Sequence, residues 1–122
     1  MSYKKITVEE FSEIVDIKKI KEEWFLIASE KENKVNTLTA SWGAVGNLWN
    51  KPVIFIFVRP QRYTTEFLQA SNEFTVTFFD GYKKELGYLG TVSGRDEDKI
   101  SKVGFNIEYV DGKPVFKEGN LI

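Results

Sequence analysis

Three short stretches of this 122-residue chain hold more donors, charge and small residues than packing requires. Arg59-Pro60-Gln61-Arg62-Tyr63-Thr64 directly follows an apolar run. Two guanidiniums, an amide and a hydroxyl at a helix start suit an anion, because donors and the helix dipole converge there. The same residues also make an ordinary charged strand-end turn, with Thr64 capping a short helix. Gly90-Thr91-Val92-Ser93-Gly94-Arg95-Asp96 offers small residues and free amides of the kind that cradle a phosphate, with Lys99 one turn later. Its competing reading is a capping box over Ser93 to Asp96, with Lys99 as solvated charge. Within the third stretch, Asn36 to Gly43, Thr39-Ala40-Ser41-Trp42 sets small hydroxyl residues beside a large ring. Such a segment can present backbone amides to a polar heterocycle while the ring shields it, or it is a strand with one tryptophan in the core.

Composition narrows the chemistry. The chain has no cysteine and no histidine, which removes disulfides, thiolate nucleophiles, Cys/His zinc sites and histidine acid–base relays. Redox chemistry therefore needs a borrowed cofactor. Seventeen basic against 18 acidic residues give a net charge of −1, without the basic excess that a nucleic-acid partner calls for. There is no GxxxxGK[ST] loop and no dinucleotide fingerprint, and Asp96 with Asp98 reads as a solvated helix face rather than a glycosidase pair. Met1 to Ile20 alternates charged and apolar residues and resembles neither a signal peptide nor a membrane span, so a cytoplasmic protein with no membrane partner is expected.

The elements that must position these stretches are mostly strands. Thr7-Val8-Glu9-Glu10 fits a capping box that opens a short amphipathic helix carrying Phe11, Ile14 and Val15. Trp24 to Ser29 reads as a buried strand, and Val35 to Trp42 alternates between two faces of mixed polarity. Gly43 and Gly46 predict a loop. Val53 to Val58 is apolar on both faces and predicts the central strand, covered on each side. A short helix with Phe67 and Leu68 follows, then a strand over Glu73 to Phe79. Tyr82, Leu86 and Leu89 have helical spacing, and a further helix using Ile100 and Val103 ends at Gly104. Asp111-Gly112 signals a hairpin turn. With 42% hydrophobic residues and no linker or repeat, residues 1–122 are expected to form one domain. Strands interrupted by short rim helices favour a mainly β, partly closed antiparallel barrel.

In order, NTLTASWG, NKPVIFIFVRPQRYTTEFL, FTVTFFD and LGTVSGRDEDKI resemble the flavin reductase family of FMN-binding split barrels, in particular its flavoredoxin-like branch. The resemblance runs from about Tyr3 to the end, with several motifs in the right order and spacing. It implies a dimeric split antiparallel β-barrel with FMN bound noncovalently near the subunit interface. It also implies that Thr39, Ala40, Ser41 and Trp42 line the isoalloxazine. Arg59, Gln61, Arg62, Tyr63 and Thr64 would hold the ribityl chain and phosphate, and Ser93, Gly94, Arg95 and Lys99 would complete the phosphate site. The implied activity is electron transfer through FMN, either as an oxidoreductase or as an electron carrier without turnover of its own. The resemblance implies NAD(P)H or a redox protein as electron donor, although many nicotinamide-using relatives carry in their later part a histidine-containing motif that this chain lacks. Relatives usually continue past Ile122 with further barrel strands, so the sequence is expected to be either a natural short form or a truncated product whose barrel is completed by its homodimer partner.

Overall fold

The computed structural model describes residues 3–122. Its centre is strand β1, Phe25–Lys31, flanked by β2, Lys34–Ala40, and β5, Thr75–Thr77. These three strands form an antiparallel sheet in the order β2-β1-β5. Alternation along β1 feeds two cores. Phe25 and Ile27 join Leu38, Ala40, Val76, Phe78, Val15 and Ile20 on one face. Leu26 and Ala28 join Phe79, Leu86, Leu89, Ile100, Phe105 and Phe116 on the other.

The first face is covered by the N-terminal helix and a hairpin. Helix α1, Val8–Ile14, begins with the expected capping box: Thr7 Oγ1 accepts from the Glu10 amide and the Glu10 carboxylate accepts from the Thr7 amide. A single π turn, Lys19–Glu23, buries Ile20. Strands β3, Ala44–Leu48, and β4, Lys51–Phe55, pair around Trp49-Asn50. Both turn residues have φ near +50 to +60°, the signature of a tight two-residue hairpin turn. Gly46 therefore lies within β3 rather than in a loop, while Gly43 precedes that strand in irregular chain, as expected.

The second face is covered by α3, Lys83–Thr91, by α4, Lys99–Val103, and by the hairpin β6–β7, Ile107–Val110 and Lys113–Phe116. That hairpin turns at Asp111-Gly112, as its sequence predicts. Gly104 ends α4 at φ +78°, also as expected. Helix α2, Tyr63–Ser71, lies beside β1 and buries Phe67.

Three further local expectations fail. Val53 to Val58 is not the central strand: it ends at Phe55, pairs only with β3, and leaves Phe55 and Phe57 exposed. Burial on both faces belongs to β1 instead. Thr64 does not cap α2, because Arg62 occupies the cap position and Thr64 is buried against Asn36. Ser93 does not open a helix: α4 starts later, capped by Asp98, whose carboxylate accepts from Ser101.

All strand pairing is antiparallel, as the sequence predicts. Among the described residues it divides into one three-stranded and two two-stranded sheets, plus a bridge between Phe78 and Leu121, and no ladder closes on itself. No described helix is long and apolar enough to cross a membrane.

Candidate flavin site

Strand β2 pairs only with β1 among the described residues, so its other edge is open. In an antiparallel strand every second residue turns its N–H and C=O toward such an edge. Two elements end beside it. The segment 59–64 leads into α2, and the segment 90–95 leaves α3. The three stretches singled out by their chemistry thus converge on one groove.

The groove consists of two adjoining cavities that share Gln61 and Arg62. The larger, about 390 Å³, is lined by Leu38, Thr39, Trp42, Phe57, Val58, Arg59 and Gly90 besides those two. The Trp42 indole donates to the Phe57 carbonyl at 2.9 Å, which sets its ring across this cavity. Thr39 Oγ1 donates to the Leu86 carbonyl at 2.5 Å, tying β2 to α3. Gly90 packs against Thr39 so closely that an added Cβ would stand 3.0 Å from Thr39 Cβ.

The smaller cavity, about 160 Å³, is lined by Asn36, Tyr63, Thr64, Thr91, Val92, Ser93, Gly94, Arg95 and Lys99 in addition to Gln61 and Arg62. Arg95 is braced from several sides: it ion-pairs with Glu66, lies over the Tyr63 ring at 4.8 Å, and reaches the Gln61 carbonyl at 3.5 Å. Arg62 donates to the Gly90 carbonyl at 3.2 Å. Lys99 is only 3% exposed, and burial first and then the Arg62 charge lower its pKa to about 8. Neither Arg62 nor Lys99 has a carboxylate partner among the described residues. Two of the three cations of this cavity therefore lack a carboxylate partner, while Arg95 has Glu66, and unpaired positive charge of this kind favours a bound anion.

Eleven of the thirteen residues named from the sequence line one cavity or the other. The two that do not are Ala40, buried in the core beside Phe25 and Ile27, and Ser41, half-buried just beyond the end of β2. Sequence reasoning placed Asn36 in a polar stretch but gave it no site role; its side-chain amide donates to Thr64 Oγ1 at 2.9 Å and its oxygen backs onto Gly94. Its signal was a lone amide on the strand face shared with Leu38 and Ala40. Phe57 and Val58 were missed because an apolar run does not reveal which of its residues end against a groove rather than in a core.

Comparison with known proteins agrees with this geometry. The model of the flavin reductase like domain matches residues 17–121. Flavoredoxin from Methanosarcina acetivorans superposes with a TM-score of 0.71 at 28% identity, over 80% of this chain and 53% of that one. Flavoredoxin of Desulfovibrio vulgaris (Miyazaki F) gives 0.68 at 26%, over 78% and 54%. The FMN-binding protein from Thermus thermophilus, bound to p-hydroxybenzaldehyde, gives 0.66 at 25%, over 79% and 54%. This chain spans about half the length of those structures. No curated protein sequence matches it. With the family model covering most of its length, the chain belongs to the flavin reductase-like family.

Proposed function

We propose that this chain binds FMN noncovalently along the open edge of β2 and acts as an oxidoreductase through that cofactor. The observation that carries the reading is the pairing of the two cavities: one holds Arg62, Arg95 and Lys99 with Glu66 as the single carboxylate paired to them among the described residues, the other is lined by Trp42, Phe57, Leu38 and Val58 with Arg59 at its edge, and Gln61 and Arg62 join them. A molecule with a phosphate at one end and a flat ring system at the other fits that division, and the FMN-binding relatives support it.

The donor set fits such a group. Arg62 and Arg95 hold the phosphate, with the Ser93 hydroxyl and the loop amides completing its shell. Gln61, whose side-chain amide both accepts and donates, meets the ribityl hydroxyls at the junction. Trp42 and Phe57 cover the ring system and exclude water, while the edge amides around Thr39, Ala40 and Ser41 face its polar rim. Arg59 and Tyr63 flank the chain between, and Thr64 with Asn36 and Gly94 supports the recess from behind. Bound FMN supplies the electron transfer, which no side chain of this protein can replace. The working unit in this reading is a cytoplasmic homodimer.

Anaerobic addition of NADH or NADPH to the FMN-loaded protein tests the enzymatic reading. Bleaching of the flavin's visible absorbance is expected from a nicotinamide-dependent reductase. The absence of histidine favours a second reading, an electron carrier, in which only a reduced redox protein bleaches the bound flavin. A protein that retains no FMN contradicts both.

A further inference from the structure

Lys99 combines burial with an unusual set of partners. Its ammonium donates to the Leu89 carbonyl at 2.9 Å and to the Val92 carbonyl at 2.7 Å. The Gly90 carbonyl between them takes Arg62 Nη1 at 3.2 Å. These oxygens belong to the C-terminal end of α3, where carbonyls lack intrahelical partners and carry the negative end of the helix dipole. Two cations from separate elements, one at the start of α2 and one opening α4, therefore cap a third element. Beyond Val92, whose amide still returns to the Tyr88 carbonyl at 3.2 Å, the chain leaves the helix as Ser93-Gly94-Arg95, the rim of the smaller cavity.

We propose that Lys99 is a positioning residue, which clamps the end of α3 to α4 and so fixes the 92–95 loop around the phosphate recess, rather than a ligand of the phosphate. The proposal rests on the FMN reading for what the recess holds, but the clamp itself exists in the ligand-free protein. An ammonium spending two of its three N–H bonds on carbonyls has little left to give a phosphate. The shift of its pKa to about 8 agrees with carbonyl rather than carboxylate partners, since dipoles offset only part of the desolvation. The role also explains why a lysine is buried here at all, where an apolar side chain would leave the Leu89 and Val92 carbonyls without it.

Amide hydrogen exchange on the ligand-free protein, wild type against Lys99→Met, reads the clamp directly. The expected result is exchange about tenfold or more faster at the end of α3 and in Val92 to Arg95, with Leu26 to Ala28 in β1 unchanged. Unchanged exchange in the loop overturns the proposal, and so does acceleration spread evenly into β1, which marks a general structural role. If Lys99→Met does not fold, the wild-type ammonium resonance decides during an FMN titration. Hydrogen bonds to carbonyls that persist on FMN addition support the clamp, whereas a scalar coupling from the Nζ protons to the flavin phosphorus overturns it. A wild-type protein that fails to bind FMN refutes the functional reading while leaving the exchange result intact, so the two failures are distinguishable.

Discussion

Arg62 stands where the two cavities meet, half-buried, with one bond to a backbone carbonyl and no acidic partner among the described residues. Its guanidinium is the group most able to answer a phosphate with a charge-assisted pair. Arg62→Ala is expected to cost about 1.5–3 kcal/mol of FMN binding, roughly a 10- to 150-fold rise in Kd by fluorescence titration. An unchanged Kd contradicts the assignment. Lys99 adds a pH dependence of definite sign. A nearby phosphate favours the ammonium, so the bound state keeps this proton to higher pH than the free protein, which releases it at about 8. FMN affinity should be level from about pH 7, where the phosphate is doubly ionised, to that pH and fall above it, by at most about tenfold per unit. Stability runs the other way. The unfolded chain holds the proton to 10.5, so between about 8 and 10.5 this group makes the ligand-free fold more stable as pH rises. Binding and melting measured across that window check both signs.

At the scale of elements, the site depends on how closely the 90–95 segment approaches β2. Gly94 is the contact point: a Cβ there would lie 2.2 Å from Asn36 Oδ1 and 3.2 Å from the Tyr63 ring. Gly94→Ala must displace a buried asparagine and break its bond to Thr64, so a loss of about 1–3 kcal/mol is expected in urea unfolding. Unaltered stability would mean that the loop is not held against the strand. The sequence made the convergence of segments legible only in part. Each donor-rich stretch was visible from its own residues, and so were the capping box at Thr7, the turn at Asp111-Gly112 and the stop at Gly104, because all are decided within a few residues. The placement of Val53 to Val58 was not. An apolar strand reads alike whether a sheet or another surface covers it, and here β1 took the centre. Capping at Thr64 and Ser93 failed for a similar reason: local hydrogen-bonding capacity was spent on Asn36 in one case and on the Arg95 amide in the other.

For the whole molecule, the hairpin that covers one core face also carries a row of uncovered apolar side chains. Trp49 is 86% exposed, and Phe57, Trp42, Leu48 and Phe55 are exposed nearby in sequence. Surfaces of this kind mark association sites, and Trp42 and Phe57 also line the flavin groove, which would place the site beside a subunit contact. Sedimentation should therefore find a homodimer that Trp49→Glu or Phe57→Glu converts to monomer. A wild-type monomer at micromolar concentration contradicts this. The central claim, however, is the division of one groove into a cationic and an aromatic half. Calorimetric titration of the purified protein with FMN, and in parallel with riboflavin, which lacks the phosphate, tests it most directly. The account predicts one FMN per chain and riboflavin weaker by at least about 100-fold, since two charge-assisted contacts are lost. Absence of FMN binding, or riboflavin binding as tightly as FMN, would contradict it.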